Sequence, residues 1–311
     1  MAASTGPKDC RLQHRVTRIA LRGRPLRLHS VWCGPAPGAE EPLVLLHGMA
    51  SSWRQWRTTM LRLGGAEAGG VPTAAIDFPG FGASGQPRRR LEVDDYVEAC
   101  EAWARACGLP RIAAVGHSFG GAVLVRWAGL HPERFRSIGL LAPASVRHPW
   151  HTAGSGLIRW PVLGRLAAHA YVWLSTTYRC GPRFFGHIAA DFSTIRPEEY
   201  PDLQWGARAA REMLRALDYY EFPTLARDLS AIGAPVRIGW GALDRVVPCT
   251  DAAVFTGCLA GARLELWEDC GHVPMLERRA ECDALLRAVW ADRGRQPIAV
   301  GGGAAAREPS W

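Results

Sequence analysis

Six short apolar runs with helix-like segments between them constrain the fold of this chain more than any other feature. They read PLVLLHG (42–48), PTAAIDFPG (72–80), RIAAVGHS (111–118), SIGLLAPAS (137–145), PVRIGWG (235–241) and ARLELWED (262–269). Such near-continuous apolar character belongs to strands covered on both faces, as in parallel sheets. The segments between and after them, SSWRQWRTTMLRL, EVDDYVEACEAWARACG, FGGAVLVRWAGLHP and MLERRAECDALLRAVW, carry helical patterning. Strand alternating with helix predicts a mostly parallel, doubly wound α/β sheet. Ahead of it, RVTRIALRGRPLRLHSVWCG (15–34) alternates apolar and basic residues around Arg22, Gly23 and Arg24, which predicts an antiparallel hairpin with one wet face.

The alternation stops after LLAPAS and resumes near Ala226. The intervening segment is rich in Trp, Tyr and Phe and has no strand-like runs, which predicts a helical cap at 146–226 inserted into a core made of 15–145 and 227–292. Within the cap, GLIRWPVLGRLAAHAYVWL (156–174) is interrupted by Arg159, Pro161, Arg165 and His169, so its apolar runs fall short of the ~20 residues that cross a bilayer. It reads as helices lying on the body, with peripheral membrane contact by the cap left open. Residues 1–14 and the Gly- and Ala-rich 293–311 read as flexible tails.

Composition removes other classes. With 48% hydrophobic and 21% charged residues, the 311-residue chain has the balance of an ordinary globular protein. The net charge of +8 is carried almost wholly by scattered arginines, and the run Arg88, Arg89, Arg90 is short and lacks interleaved aromatics, so it reads as a solvated face rather than a nucleic-acid groove. Nine cysteines without a C-x-x-C pair argue against a disulfide framework and a zinc site, and fit a reducing cytoplasm. The first residues hold no apolar run of the secretory kind. No metal or organic cofactor is implied.

The chemistry concentrates around Ser118. The strand RIAAVG must turn sharply into the helix GGAVLVRWAG, and Gly116 and Gly120 permit a strained turn that lifts the Ser118 hydroxyl above the sheet. A serine needs a base and a group that orients the base. Asp244, in ALDRVVP at the carboxyl end of PVRIGWG, is the expected acid, with Asp251, Glu268 and Asp269 as rivals. His272, in the glycine-flanked loop CGHVPMLE, is the expected base. The chain order Ser118, Asp244, His272 is that of α/β-hydrolases. The backbone N–H groups of Phe119 and of Met49, in HGMASSW, are the expected oxyanion donors. His47 and His117 read as structural, and Asp77 with Ser84 as parts of a shaped loop in DFPGFGASG.

At LLHGMASSW, DFPGFGASG, GHSFGG, LLAPAS, WGALDRVVP and GHVPMLE the chain resembles the α/β-hydrolase superfamily, in its serine-hydrolase branch with a helical cap. The resemblance spans about residues 16–292 and implies the same three catalytic residues and the same two oxyanion amides. Haloalkane dehalogenases and epoxide hydrolases are similar but place an aspartate where this chain has Ser118. The implied reaction is cleavage of an ester or thioester of a small, largely apolar molecule. Carbon–carbon hydrolysis, acyl transfer, lyase chemistry and a non-catalytic binding role are the alternatives. Trp150, Trp173, Val247 and Val273 are the expected pocket residues, and Trp160, Tyr171, Phe184 and Phe185 are further aromatics of the cap.

Overall fold

The computed structural model describes residues 11–34, 41–49, 51–65, 70–89, 91–144, 188–196 and 224–292, with Leu166 as a single further position. Strands β1 (Gln13–Leu21) and β2 (Arg24–Cys33) form the expected antiparallel hairpin. Arg22 and Gly23 close it with φ values of 48° and 73°, the left-handed pair that a two-residue turn needs to follow the twist of the strands. Then come β3 (Leu43–Leu46), α1 (Arg57–Gly64), β4 (Thr73–Ile76), α2 (Val93–Ala106), β5 (Ile112–His117), α3 (Phe119–Leu130) and β6 (Phe135–Leu141). After the predicted cap follow α4 (Leu225–Ser230), β7 (Val236–Gly241), α5 (Ala252–Cys258), β8 (Arg263–Trp267), α6 (Pro274–Glu277) and α7 (Arg279–Ala291).

The eight strands lie in the order β1-β2-β4-β3-β5-β6-β7-β8. The hairpin joins β4 antiparallel and every later pair is parallel. The central strands are buried on both faces, and their alternation feeds two cores. Val44, Leu46, Ala74, Ile76, Ile112 and Ala114 face α2 and α3, while Leu43, Leu45, Ala75, Ala113 and Val115 face α1 and α7. On α2 the residues Tyr96, Cys100 and Trp103 recur at helical spacing and fill the first core. ARLELWED departs from the expectation of a strand covered on both faces. Among the described residues it is the edge strand β8, paired only with β7, and its Leu264 and Leu266 stay 40% and 45% exposed.

Most of the predicted cap, Trp150 and Trp173 included, lies outside the described residues, as do 1–10 and 293–311; the expected N-terminal tail of 1–14 is too long, since pairing with β2 already orders the chain from Gln13 in β1. Of the cap, Ile188, Ala189 and Ile195 are described, and all three are buried in the second core. Among the described residues no helix is long and apolar enough to cross a membrane, and no cluster of His, Cys, Asp and Glu could hold a metal ion. Cys100, Cys107, Cys249, Cys258, Cys270 and Cys282 are free thiols. Cys33 is disulfide-bonded, a departure from the reading of a fully reduced set.

One buried charge ties α2 to α3 and to the start of β6. Glu101 accepts bonds from the Trp127 indole (2.9 Å), Arg105 Nε (2.7 Å) and Arg134 Nε (3.1 Å). Burial alone would raise its carboxyl, but these donors outweigh it and hold the group down at about 2, against an ordinary 4.5. A depressed folded-state value stabilises the fold above pH 4.5 and loses that contribution as pH falls toward about 2. Glu101→Gln is therefore expected to lower stability at neutral pH by on the order of 2 kcal/mol. In urea titrations the gap to the parent should close as pH is taken down through that window.

Candidate active site

Ser118 sits between the last residue of β5 and the first of α3, with φ 52° and ψ −118°, a conformation that strains any residue with a side chain. Its neighbours hold it there. The Ser118 amide donates to Leu141 O (3.0 Å), and Ser118 O accepts from Gly121 N (2.9 Å) and Ala144 N (3.0 Å). The glycines do the rest by letting backbone meet backbone. A Cβ on Gly116 would lie 2.4 Å from Gly120 O, and one on Gly120 would lie 2.5 Å from Leu46 O. The first turn of α3 thus rests directly on β3 and β5, and the chain can reach it only through the turn at Ser118.

Asp244 and His272 meet across two loops at the carboxyl ends of β7 and β8. Oδ1 of Asp244 accepts the amides of Val246 (2.8 Å) and Val247 (2.9 Å), which aims Oδ2 at His272 Nδ1, 2.7 Å away. Burial opposes ionisation of Asp244, but the His272 ring and the two amides outweigh it and hold the carboxyl below its ordinary value. With Nδ1–H donating to a carboxylate, Nε2 of His272 carries the free lone pair. Of the rival acids, Glu268 and Asp269 are exposed, and Asp251 directly precedes α5.

The main chain of His272 is pinned on all sides. Its amide donates to Ile188 O (2.7 Å), and its carbonyl accepts from Nε2 of His117, the residue before Ser118 (2.7 Å). Burial, with the neighbouring His272, draws the His117 imidazole down to about 3, so this ring stays neutral and serves as a fixed donor. Glu277, at the end of α6, brackets the loop by accepting the amides of Gly271 (2.9 Å), Val273 (3.2 Å) and Ala190 (2.6 Å). Burial raises the Glu277 carboxyl despite these three donors.

The loop after β3 is clamped as firmly. His47 donates from Nδ1 to Gly48 O (2.7 Å) and accepts the Phe78 amide at Nε2 (3.1 Å). Complete burial lowers its basicity, so it too is neutral. Gln55 Oε1 accepts the Gly48 amide (3.1 Å), which removes that N–H from any other use. A trans peptide is planar, with N–H pointing opposite to C=O. The bond from His47 to Gly48 O therefore fixes the direction of the Met49 N–H. Asp77 supports the same loop from below, accepting Trp53 N (2.7 Å), Ala83 N (2.9 Å) and the His29 ring, while Ser84 Oγ donates to Asp77 O (2.7 Å).

The structural readings of His47, Asp77 and Ser84 thus agree with the bonds these residues make, and His117 is packed as expected. Val247 and Val273 are buried, and their amides serve Asp244 and Glu277. Gln55 and Glu277 escaped the sequence reading, because each acts on a main chain that only the fold brings near. A carboxylate in the turn that follows His272 and Pro274 was the one available signal.

The sequence matches the alpha/beta hydrolase family over residues 43–285. The chain belongs to that family. It is 24% identical over 264 residues to a monoacylglycerol lipase (abhd6-B) of Xenopus laevis, covering 80% of this chain and 75% of that protein. It is also 24% identical over 259 residues to the 2-hydroxy-6-oxononadienedioate/2-hydroxy-6-oxononatrienedioate hydrolase of Klebsiella pneumoniae, covering 80% of this chain and 86% of the relative. Among solved structures, a thermophilic esterase from Thermogutta terrifontis superposes with a TM-score of 0.70 at 18% identity, covering 89% of this chain and 100% of its own. That likeness is one of fold.

Glu277 gives this geometry a direct test. Glutamine in its place would turn an NH2 group toward backbone donors and release part of the His272 loop. A misplacement of about 1 Å costs a reacting group on the order of 10²-fold in rate. Glu277→Gln should lose hydrolase turnover on that scale while its melting temperature stays close to the parent. An equal loss of folded protein, read by circular dichroism, would reduce Glu277 to a general support of the fold.

Proposed function

We propose that this family member is a serine hydrolase that cleaves a carboxylic ester or thioester of a small, largely apolar substrate. The observation that carries the reading is the 2.7 Å contact between His272 Nδ1 and buried Asp244, in a fold whose strained elbow presents Ser118. Ser118 Oγ attacks the carbonyl carbon and its proton passes to His272 Nε2. The oxyanion takes hydrogen bonds from the amides of Phe119 and Met49. His272 then protonates the departing alcohol or thiol, leaving an acyl-Ser118. Water, deprotonated by His272, attacks the acyl carbon, and the collapse returns the proton to Ser118 and releases the carboxylic acid. No step needs a metal or an organic cofactor.

Substrate selection is assigned to the 146–226 segment with Trp150 and Trp173, together with Val247 and Val273. Six of the seven described cysteines are free thiols, which supports a cytoplasmic setting, and the bonded Cys33 counts against it. The Klebsiella relative, named for hydrolysis of a dienedioate, favours a second reading in which the same residues break a carbon–carbon bond. Product analysis separates the two: an ester gives an alcohol and an acid, whereas a vinylogous diketone gives two fragments that were joined through carbon.

Two variants test the assignment. A fluorophosphonate probe should label the parent at one residue, and Ser118→Ala should abolish the labelling; a variant still labelled to the same extent overturns the choice of nucleophile. Asp244→Asn keeps the shape of the site but presents the wrong partner to Nδ1. Its turnover of a p-nitrophenyl ester should fall by on the order of 10⁴. Near-normal turnover would move the acid to another residue.

A further inference from the structure

The hairpin and the loop before α2 line an open hollow of about 740 Å³, within the size range of small-molecule pockets. It is built by two contacts, and none of its lining residues belongs to the Ser118 site. The tight Arg22-Gly23 turn brings the end of β1 against the start of β2, and Gly85 N donates to Arg27 O (2.7 Å), drawing residues 86–89 alongside. The wall is apolar, with Leu21, Leu26, Pro87 and Leu91 among its residues. The rim is formed by Arg22, Arg24, Arg88 and Arg89.

These four arginines are not equivalent. Arg22 Nε is 2.7 Å from Asp95 and 3.3 Å from Glu98, and Arg89 pairs with the same Asp95. Two of the positive charges are therefore compensated. Arg24 and Arg88 are exposed and make no ion pair or side-chain hydrogen bond among the described residues. Two uncompensated guanidinium groups stand at the mouth of an apolar hollow. A guanidinium matches carboxylate or phosphate oxygens with paired donors, and the wall beneath is mostly apolar, with Gln86 as its one uncharged polar side chain.

We propose that this cavity is a second ligand site, distinct from Ser118, that takes a small anionic amphiphile. Its carboxylate or phosphate head lies between Arg24 and Arg88, and its apolar portion lies against Leu26, Pro87 and Leu91. The same head chemistry occurs in a free fatty acid and in an anionic phospholipid of a bilayer, and the test distinguishes them.

The full chain, with its leucine methyls isotopically labelled, is titrated with decanoate, with decanol, and with phosphatidylglycerol vesicles. The Leu21, Leu26 and Leu91 methyl resonances are followed by NMR. This readout is local to the cavity and does not depend on Ser118, so a chain that fails the fluorophosphonate test can still pass this one. Decanoate is expected to shift these methyls at concentrations where decanol does not. The double variant Arg24→Ala/Arg88→Ala should weaken binding by roughly tenfold or more, the worth of one charge-assisted bond, with hydrolase turnover unchanged. Shifts with decanoate identify a free monomer as the ligand, and shifts with vesicles alone identify a bilayer headgroup. Absence of both, equal binding of decanol, or full binding by the double variant overturns the proposal.

Discussion

The contact of Gly120 with the carbonyls of Leu46 and His47 is the constraint on which the site depends. A Cβ at Gly120 would come within 2.5 Å and 2.6 Å of those oxygens, so α3 lies closer to β3 than any other residue would allow. Bringing the helix so near leaves one residue to make the turn, and that residue adopts the strained φ of 52°. Burial of Val123, Leu124 and Trp127 in the first core holds α3 down against this strain. Packing thereby maintains at Ser118 a backbone conformation that the residue would not keep in isolation.

Around the elbow, nearly every polar group acts through its main-chain partners. His47 and His117 are buried, neutral imidazoles used as fixed donors and acceptors. Gln55, Asp77 and Glu277 accept the backbone amides of Gly48, Ala83 and Gly271, in loops that have no regular structure. Buried side chains thus take the place that ladder hydrogen bonds hold in strands, and they keep irregular loops rigid without secondary structure. His272 is the imidazole whose Nδ1 faces the Asp244 carboxylate, which the ring and two backbone amides hold below its ordinary value.

The strands, their order of appearance and the helices between them were legible because a parallel sheet buried on both faces needs continuous apolar runs, and this chain writes them plainly. The hairpin was legible for the opposite reason, its one wet face giving alternation. ARLELWED was misread because Leu264 and Leu266 look the same in sequence whether a helix covers them or not. Its place at the sheet edge follows from the strand order, in which no described strand pairs beyond β8. Asp244 could be favoured over Asp251, Glu268 and Asp269 by its position after β7, yet the choice rests on a distance that no spacing encodes.

Local sequence determined what each segment becomes and which side chains it offers: the elbow serine between glycines, the acid after β7, the histidine in its glycine-flanked loop. Those properties follow from backbone sterics and periodicity within a few residues. Tertiary structure alone decided which groups meet. Glu277 reaching Ala190, His117 reaching the carbonyl of His272, and Arg22 finding Asp95 while Arg24, unpaired among the described residues, lines the same hollow as Arg88, all join positions far apart in the chain. Such meetings depend on the relative placement of whole strands and helices, which packing fixes and no short stretch of sequence contains.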